Sequence, residues 1–221
     1  MKNALRTLIL AAAAILPGSA TTVIPYAVTW NTAPLKAQAM AEPDVRFYFG
    51  IQLTNGGGSL ASSLLILSEF DFGTGMALPD KTGFGGYSGD IGSTLYVADD
   101  EFFNGFLQEF EPGEKLNFQL EARFISDGGA FPDAFNFSLY GAYPDGDYTQ
   151  FLSYDPFAGT AARADLANPL TIEAFDTFLN DSYIVPAPQF RMLDASEVPE
   201  PGGWILIASG LFVLAGWRRY R

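Results

Sequence analysis

In KLNFQLEARF, residues 115–124, Leu116, Phe118, Leu120, Ala122 and Phe124 alternate without a slip with Lys115, Asn117, Gln119, Glu121 and Arg123. Successive side chains of an extended chain point to opposite faces, so this period of two predicts a half-buried antiparallel strand. A helix would need apolar spacings of three and four. VRFYFGIQL, residues 45–53, repeats the pattern: Val45, Phe47, Phe49, Ile51 and Leu53 share one face, and Arg46, Gly50 and Gln52 the other. Residues 23–30 also read as a strand.

Working outward, residues 64–72, 94–98, 102–110, 135–143, 151–154 and 170–178 combine aromatic or branched residues with partial alternation, as strands do. Turn chemistry separates them: Asn55 to Gly58, Gly83 to Gly89, Glu111-Pro112-Gly113, Asp127-Gly128-Gly129 and Pro144 to Asp147. Short strands with frequent turns predict an all-β fold, an antiparallel β-sandwich of jelly-roll-like type, with a closed barrel as the alternative. Residues 159–168, GTAARADLAN, read as the one helical turn. The domain is expected over residues 21–185, and the Pro-containing stretch 186–198 as a linker.

The chain has 221 residues, with neither Cys nor His. These absences exclude Cys nucleophiles, His-dependent triads and the usual zinc and haem ligation by those residues. A domain without Cys has no disulfide and must rely on its core, and 20 Phe and 10 Tyr supply one. Residues 21–197 hold seven basic against 24 acidic side chains. Such a field repels phosphate backbones, so nucleic acid is not an expected partner.

The two termini read as addresses. MKNALRTLILAAAAILPGSA, residues 1–20, has the basic start (Lys2, Arg6), apolar stretch and small-residue end of a secretory signal peptide, with cleavage expected after Ala20. Ala37-Gln38-Ala39 offers a second small-residue site, disfavoured because it would discard the strand at 23–30. At the other end, residues 202–217 form an apolar run expected to be a single transmembrane helix, roughly 24 Å long at about 1.5 Å per residue. That is short for the ~30 Å hydrocarbon layer. Trp204 and Trp217 sit near its two ends, where indoles prefer the interface, and Arg218, Arg219 and Arg221 place the C-terminal side in the cytoplasm.

Pro199-Glu200-Pro201, a short apolar span and a terminal Arg cluster, in that order, resemble the PEP-CTERM sorting signal of Gram-negative bacteria that make exopolysaccharide. The resemblance covers residues 198–221. It implies recognition by an exosortase, a membrane transpeptidase, with Pro199, Glu200 and Pro201 as the sorting motif and Arg218, Arg219 and Arg221 as the stop-transfer cluster. It further implies export across the inner membrane, transient anchoring there, and delivery to the cell surface or matrix, with exopolysaccharide as a partner. The body, through DDEFFNGFLQEFEPGEKLNFQLEARF, FNFSLYGAYPDGDYTQFLSYDP and a YxVxxxT-like strand from Tyr26 to Thr32, is similar to exported PEP-CTERM proteins of unknown function. A structural or adhesive role is the resulting expectation.

No catalytic signature stands out, and no catalytic residue or metal ligand is expected; the one cofactor kept open is a stabilising Ca²⁺. The enzymatic alternative is a glycan-active enzyme with paired carboxylates, drawn from Glu109, Glu111 and Glu114 or from Asp99, Asp100 and Glu101. Asp145-Gly146-Asp147 resembles the start of a Ca²⁺ loop but lacks its completion, and Asp-Gly is foremost a hairpin turn. Phe84, Tyr87, Tyr140, Tyr143 and Tyr148 lie in or beside turns and offer an aromatic platform for sugar rings.

Overall fold

The structure is a computed structural model, and it describes residues 21–57, 63–124, 131–143, 149–155, 159–166, 170–178 and 182–194. From the N-terminal side run β1 (Thr22–Asn31), α1 (Ala33–Ala41), β2 (Arg46–Thr54), β3 (Ser63–Asp71), β4 (Met76–Phe84) and β5 (Gly86–Gly89). Next come β6 (Leu95–Ala98), β7 (Phe103–Glu111), β8 (Lys115–Phe124), β9 (Ala134–Ala142) and β10 (Thr149–Gln150). The last are β11 (Leu152–Ser153), β12 (Ala162–Asp165), β13 (Thr171–Ala174), β14 (Thr177–Phe178), β15 (Ile184–Val185) and β16 (Gln189–Met192).

The fold is all-β and antiparallel, as the alternation predicts. One sheet has the order β16-β1-β8-β3-β6-β5, and a second has β13-β12-β9-β2-β7-β4 with β10 beside β9. A third, small sheet is β11-β14-β15. The pairings nest: β1 with β8, β2 with β7, β3 with β6. The segment from β1 to β8 is therefore a ribbon doubled back at Gly85, whose φ of +69° suits glycine, and rolled so that successive pairs fall in opposite sheets. Strands β9, β12 and β13 extend the second sheet past β2, and β16 extends the first past β1.

The alternating residues meet between the sheets. Leu116, Phe118, Leu120, Ala122 and Phe124 of β8 are buried, as are Phe47, Phe49, Ile51 and Leu53 of β2. Phe118 lies 5.8 Å from Phe49 and 5.7 Å from Phe137, ring centre to ring centre and edge to face. That geometry suits the ring quadrupoles. These contacts between facing sheets make the fold β-sandwich-like.

The two ends differ. Helix α1 lies in the β1–β2 connection at one end. The other, here called the clasp end, gathers the end of β2, the start of β3, the β4–β5 turn, the β6–β7 connection and the residues preceding β9. Two buried carboxylates tie it together. Asp99 accepts from the Ser63 amide at 3.0 Å and from Asn55 Nδ2 at 3.3 Å. Asp133 accepts from Ser63 Oγ at 2.5 Å and from the Gly56 amide at 2.7 Å. Carboxylates so buried need such donors.

Several expectations are corrected. Within residues 159–168, read as a helical turn, Ala162–Asp165 forms β12, because pairing with β9 and β13 buries Ala162 and Ala164 in the sheet. The helix is instead α1, started by Pro34 in its first turn and by Asn31 Oδ1, which accepts from the Ala33 amide at 3.1 Å. Within the expected linker 186–198, Gln189–Met192 is β16, paired with β1, so the folded unit runs past 185. The expected Gly83–Gly89 turn narrows to Gly85, and β4, which carries Pro79 and a register shift, is an edge strand that no alternation announced. The stretch 170–178 is two strands rather than one. Among the described residues no helix is long and apolar enough to cross a membrane. Residues 1–20, 202–217, Pro199, Glu200, Pro201, Arg218, Arg219 and Arg221 lie outside the described residues, as do Asp145, Asp147 and Tyr148.

Candidate functional site: a glycine-floored groove on the second sheet

Once Phe47, Phe49, Ile51 and Leu53 face the core, β2 must present Tyr48, Gly50 and Gln52 on the opposite face. By the same alternation β7 presents Gly105, Leu107 and Glu109, and β9 presents Asn136, Ser138 and Tyr140. Register aligns them. Phe84, Gly105, Gln52 and Asn136 form one row across four strands, and Thr82, Leu107, Gly50 and Ser138 form the next.

Glycines in two adjacent strands leave a depression of about 210 Å³, lined by Gln52, Thr82, Phe84, Leu107, Asn136 and Tyr140 over Gly50 and Gly105. Aromatic rings lean over both glycines. A Cβ on Gly50 would sit 2.6 Å from Cε2 of Tyr140, and one on Gly105 2.5 Å from Cζ of Phe84. Phe84 remains 55% exposed, so an apolar ring faces solvent beside two amide side chains. Burial pushes the Tyr140 hydroxyl above its ordinary range, so it remains a neutral donor and acceptor. Sites for drug-sized ligands enclose roughly 300–1,000 Å³. This groove is smaller and open, which suits one ring of a chain lying across the sheet better than an engulfed molecule.

Carboxylates flank the groove without lining it. Glu109 lies two residues beyond Leu107 on the same face of β7, and burial raises its carboxyl above the usual range. Arg46, 3.8 Å away, opposes that shift, and the charge of Asp80 adds to it. Tyr48 donates its hydroxyl to Asp80 Oδ2 at 3.2 Å.

The structure separates most of the residues singled out in the sequence. Phe84 and Tyr140 come together in the groove. Tyr87 is on β5 in the other sheet, its ring 5.5 Å from Phe106, and Tyr143 donates to Glu42 at 3.1 Å away from the groove. Glu111 is exposed at the end of β7, and Glu114 binds Lys36 and Thr74 in a loop, so these two do not converge with Glu109. Asp99 is buried in the clasp, whereas Asp100 and Glu101 face solvent. Among the described residues no group of three or more acidic side chains is arranged to hold a metal ion. A larger cleft on the first sheet, about 480 Å³, is lined by Thr29, Asn31, Lys115, Asn117 and Gln189, and its one ring, Trp30, is buried.

Gly50 and Gln52 were read only as the outer face of a strand, and Gly105 and Asn136 were not singled out in the sequence. The signal for the glycines was present, since a glycine inside an otherwise apolar strand marks close approach of another group. Comparison with protein-family models, with curated proteins and with solved structures finds no match.

Proposed function

We propose that this chain is an exported, exosortase-processed surface or extracellular-matrix protein whose jelly-roll-like domain binds exopolysaccharide. The observation that carries the binding reading is the groove: an exposed Phe84 ring beside the Gln52 and Asn136 amides, on strands packed over the Phe core. A sugar ring offers an apolar face to an aromatic ring and hydroxyls to amides, so both halves of the site have a use. The excess of acidic side chains favours neutral over uronate-rich polysaccharides, because like charges repel.

Binding is tested by affinity electrophoresis of the full chain in mild detergent through gels containing neutral or acidic polysaccharides. Phe84→Ala abolishes retardation by the neutral polymer while leaving the melting temperature unchanged, since much of the ring is already in water. Equal retardation of wild type and variant on every polymer rejects the groove. Sorting is tested by mass spectrometry of surface-located protein, where a new C-terminus near Glu200 is expected and an intact Arg221 rejects processing.

The second reading, a carboxylate-dependent glycan-active enzyme, is favoured by the raised Glu109 carboxyl beside the groove. Glycan hydrolysis that disappears in Glu109→Gln would replace the binding reading.

A further inference from the structure

All four exposed phenylalanines among the described residues lie at the clasp end: Phe84 (55%), Phe102 (56%), Phe103 (49%) and Phe131 (75%). Phe102 and Phe103 stack edge to face at 4.5 Å, and the Phe102 carbonyl accepts from the Asn55 amide at 2.9 Å. The carbonyl of Phe131 packs against the neighbouring Gly56, so three of these rings spring from adjoining loops. Scattered single apolar residues need no explanation, but a cluster at one end does.

The chain leaves the fold at that same end. Strand β16 runs antiparallel to β1, from Gln189 opposite Thr29 to Met192 opposite Tyr26. The Leu193 amide then donates to the Pro25 carbonyl at 2.9 Å, so Asp194 is heading towards Thr22. Thr22 is paired with Phe124, and Phe124 with Ser63 of the clasp. Between Asp194 and the apolar run beginning at Gly202 lie residues 195–201, which span at most about 25 Å when fully extended. From the Ile24 level that Asp194 approaches, the α1 end of β1 at Asn31 lies seven residues back, roughly 23 Å. Presenting the α1 end to a bilayer that holds the run would therefore require the tether to reverse and run back along the sandwich at nearly full extension, whereas the clasp end lies ahead of it.

We propose that the clasp end is a lipid-docking surface, and that Phe102, Phe103 and Phe131 enter the bilayer interface while the chain is anchored. This rests on the reading of residues 202–217 as a membrane span. Docking orients the domain end-on and keeps the 199–201 motif at the membrane surface, within reach of a membrane-embedded enzyme. Asp100 and Glu101 are exposed beside Phe102, so zwitterionic lipid suits this surface better than anionic lipid.

The Cys-free chain allows a direct test. The full chain is reconstituted into phosphatidylcholine vesicles with the environment-sensitive fluorophore NBD on a single introduced cysteine, at Pro132→Cys for the clasp end or Ala37→Cys for α1. The expected result is flotation of both with the vesicles, with NBD emission several-fold higher and blue-shifted for P132C over A37C. Adding Phe102→Ser and Phe103→Ser lowers the P132C emission to the A37C level, with circular dichroism reporting that the fold persists. Flotation with equal emission at the two sites overturns the docking surface and leaves the anchor standing. Failure to float overturns both. A high P132C emission that persists in lipid-free detergent at raised protein concentration assigns the surface to a second copy of this chain and overturns lipid docking.

Discussion

Replacing Asp133 by Ala removes the acceptor for two donors that have little access to water: Ser63 Oγ at 2.5 Å and the Gly56 amide at 2.7 Å. Ser63 is 3% exposed, so its hydroxyl gains little from solvent when the carboxylate goes. Hydrogen bonds to charged groups contribute about 1.5–3 kcal/mol each, and orphaned buried donors cost a similar amount. Bonds sharing one carboxylate are not additive, so the loss is set at about 3 kcal/mol, against a whole-domain stability of about 5–15 kcal/mol. For a domain of this size that corresponds to a fall of roughly 10 °C in melting temperature. Asp133→Asn keeps one acceptor oxygen, and the Ser63 hydroxyl can turn to accept from the new amide, so about 1 kcal/mol is expected. The assay is urea unfolding of the full chain in mild detergent, followed by far-UV circular dichroism and read at constant m-value. A loss under about 0.5 kcal/mol for Asp133→Ala, or a larger loss for Asn than for Ala, would refute the claim that Asp133 closes this end by accepting.

Two further perturbations test the core and the α1 end. Phe137 touches Phe49, Phe118, Phe135 and Phe190 at ring separations of 5.4–6.2 Å; Phe137→Ala is expected to cost about 3–5 kcal/mol in the same urea assay, and a cost below that of Phe84→Ala would refute the core. Glu114 is held at about 2 by Lys36 Nζ, with backbone and Thr74 donors adding to the effect. Its folded value lies below the ordinary 4.5, so its contribution is fully present above about pH 4.5 and is lost as pH falls through about 2. The melting-temperature gap between wild type and Lys36→Met should shrink across that window, and a gap that widens towards pH 2 contradicts the pairing.

The strands that were legible are those whose side-chain alternation is settled locally. Strands β2 and β8 carry nine- and ten-residue alternating stretches; β8 reproduces the alternation residue by residue, and β2 buries its inward residues as read while Tyr48 and Gly50 on its other face are covered as well. Where tertiary context decides, the sequence misleads. ARAD at 162–165 favours helix by composition yet becomes β12 because β9 and β13 bracket it. The apolar residues of α1 are spread around its axis, so no stripe announces a helix there. Pro79 and the register shift between Ala77 and Lys81 hide β4. The groove illustrates the same division. Phe84 and Tyr140 are recognisable as candidates one at a time, but their convergence depends on the pairing of four strands that span residues 50–140. Long-range register leaves no trace in local spacing.

The fold also bears on where the proposed export signal can be cut. Removal after Ala39, the second small-residue site, would delete β1 entire and most of α1. Strand β1 sits inside the first sheet, paired over ten residues with β8 and over four with β16. Its loss would strand β16 and remove Tyr26, Val28 and Trp30, with Leu35 of α1, from the core. At about 1.5–3 kcal/mol for each buried side chain, the loss is of the order of 10 kcal/mol, comparable to the stability of an entire domain. A cut after Ala20 leaves every one of these contacts in place, because Thr22 is the first paired residue. The mature N-terminus should therefore be Thr21 by N-terminal sequencing. Met40 as the first residue of a folded, protease-resistant protein would mean that the first sheet can close without its second strand, and that the order β16-β1-β8 is not what holds the C-terminal strands to the sandwich.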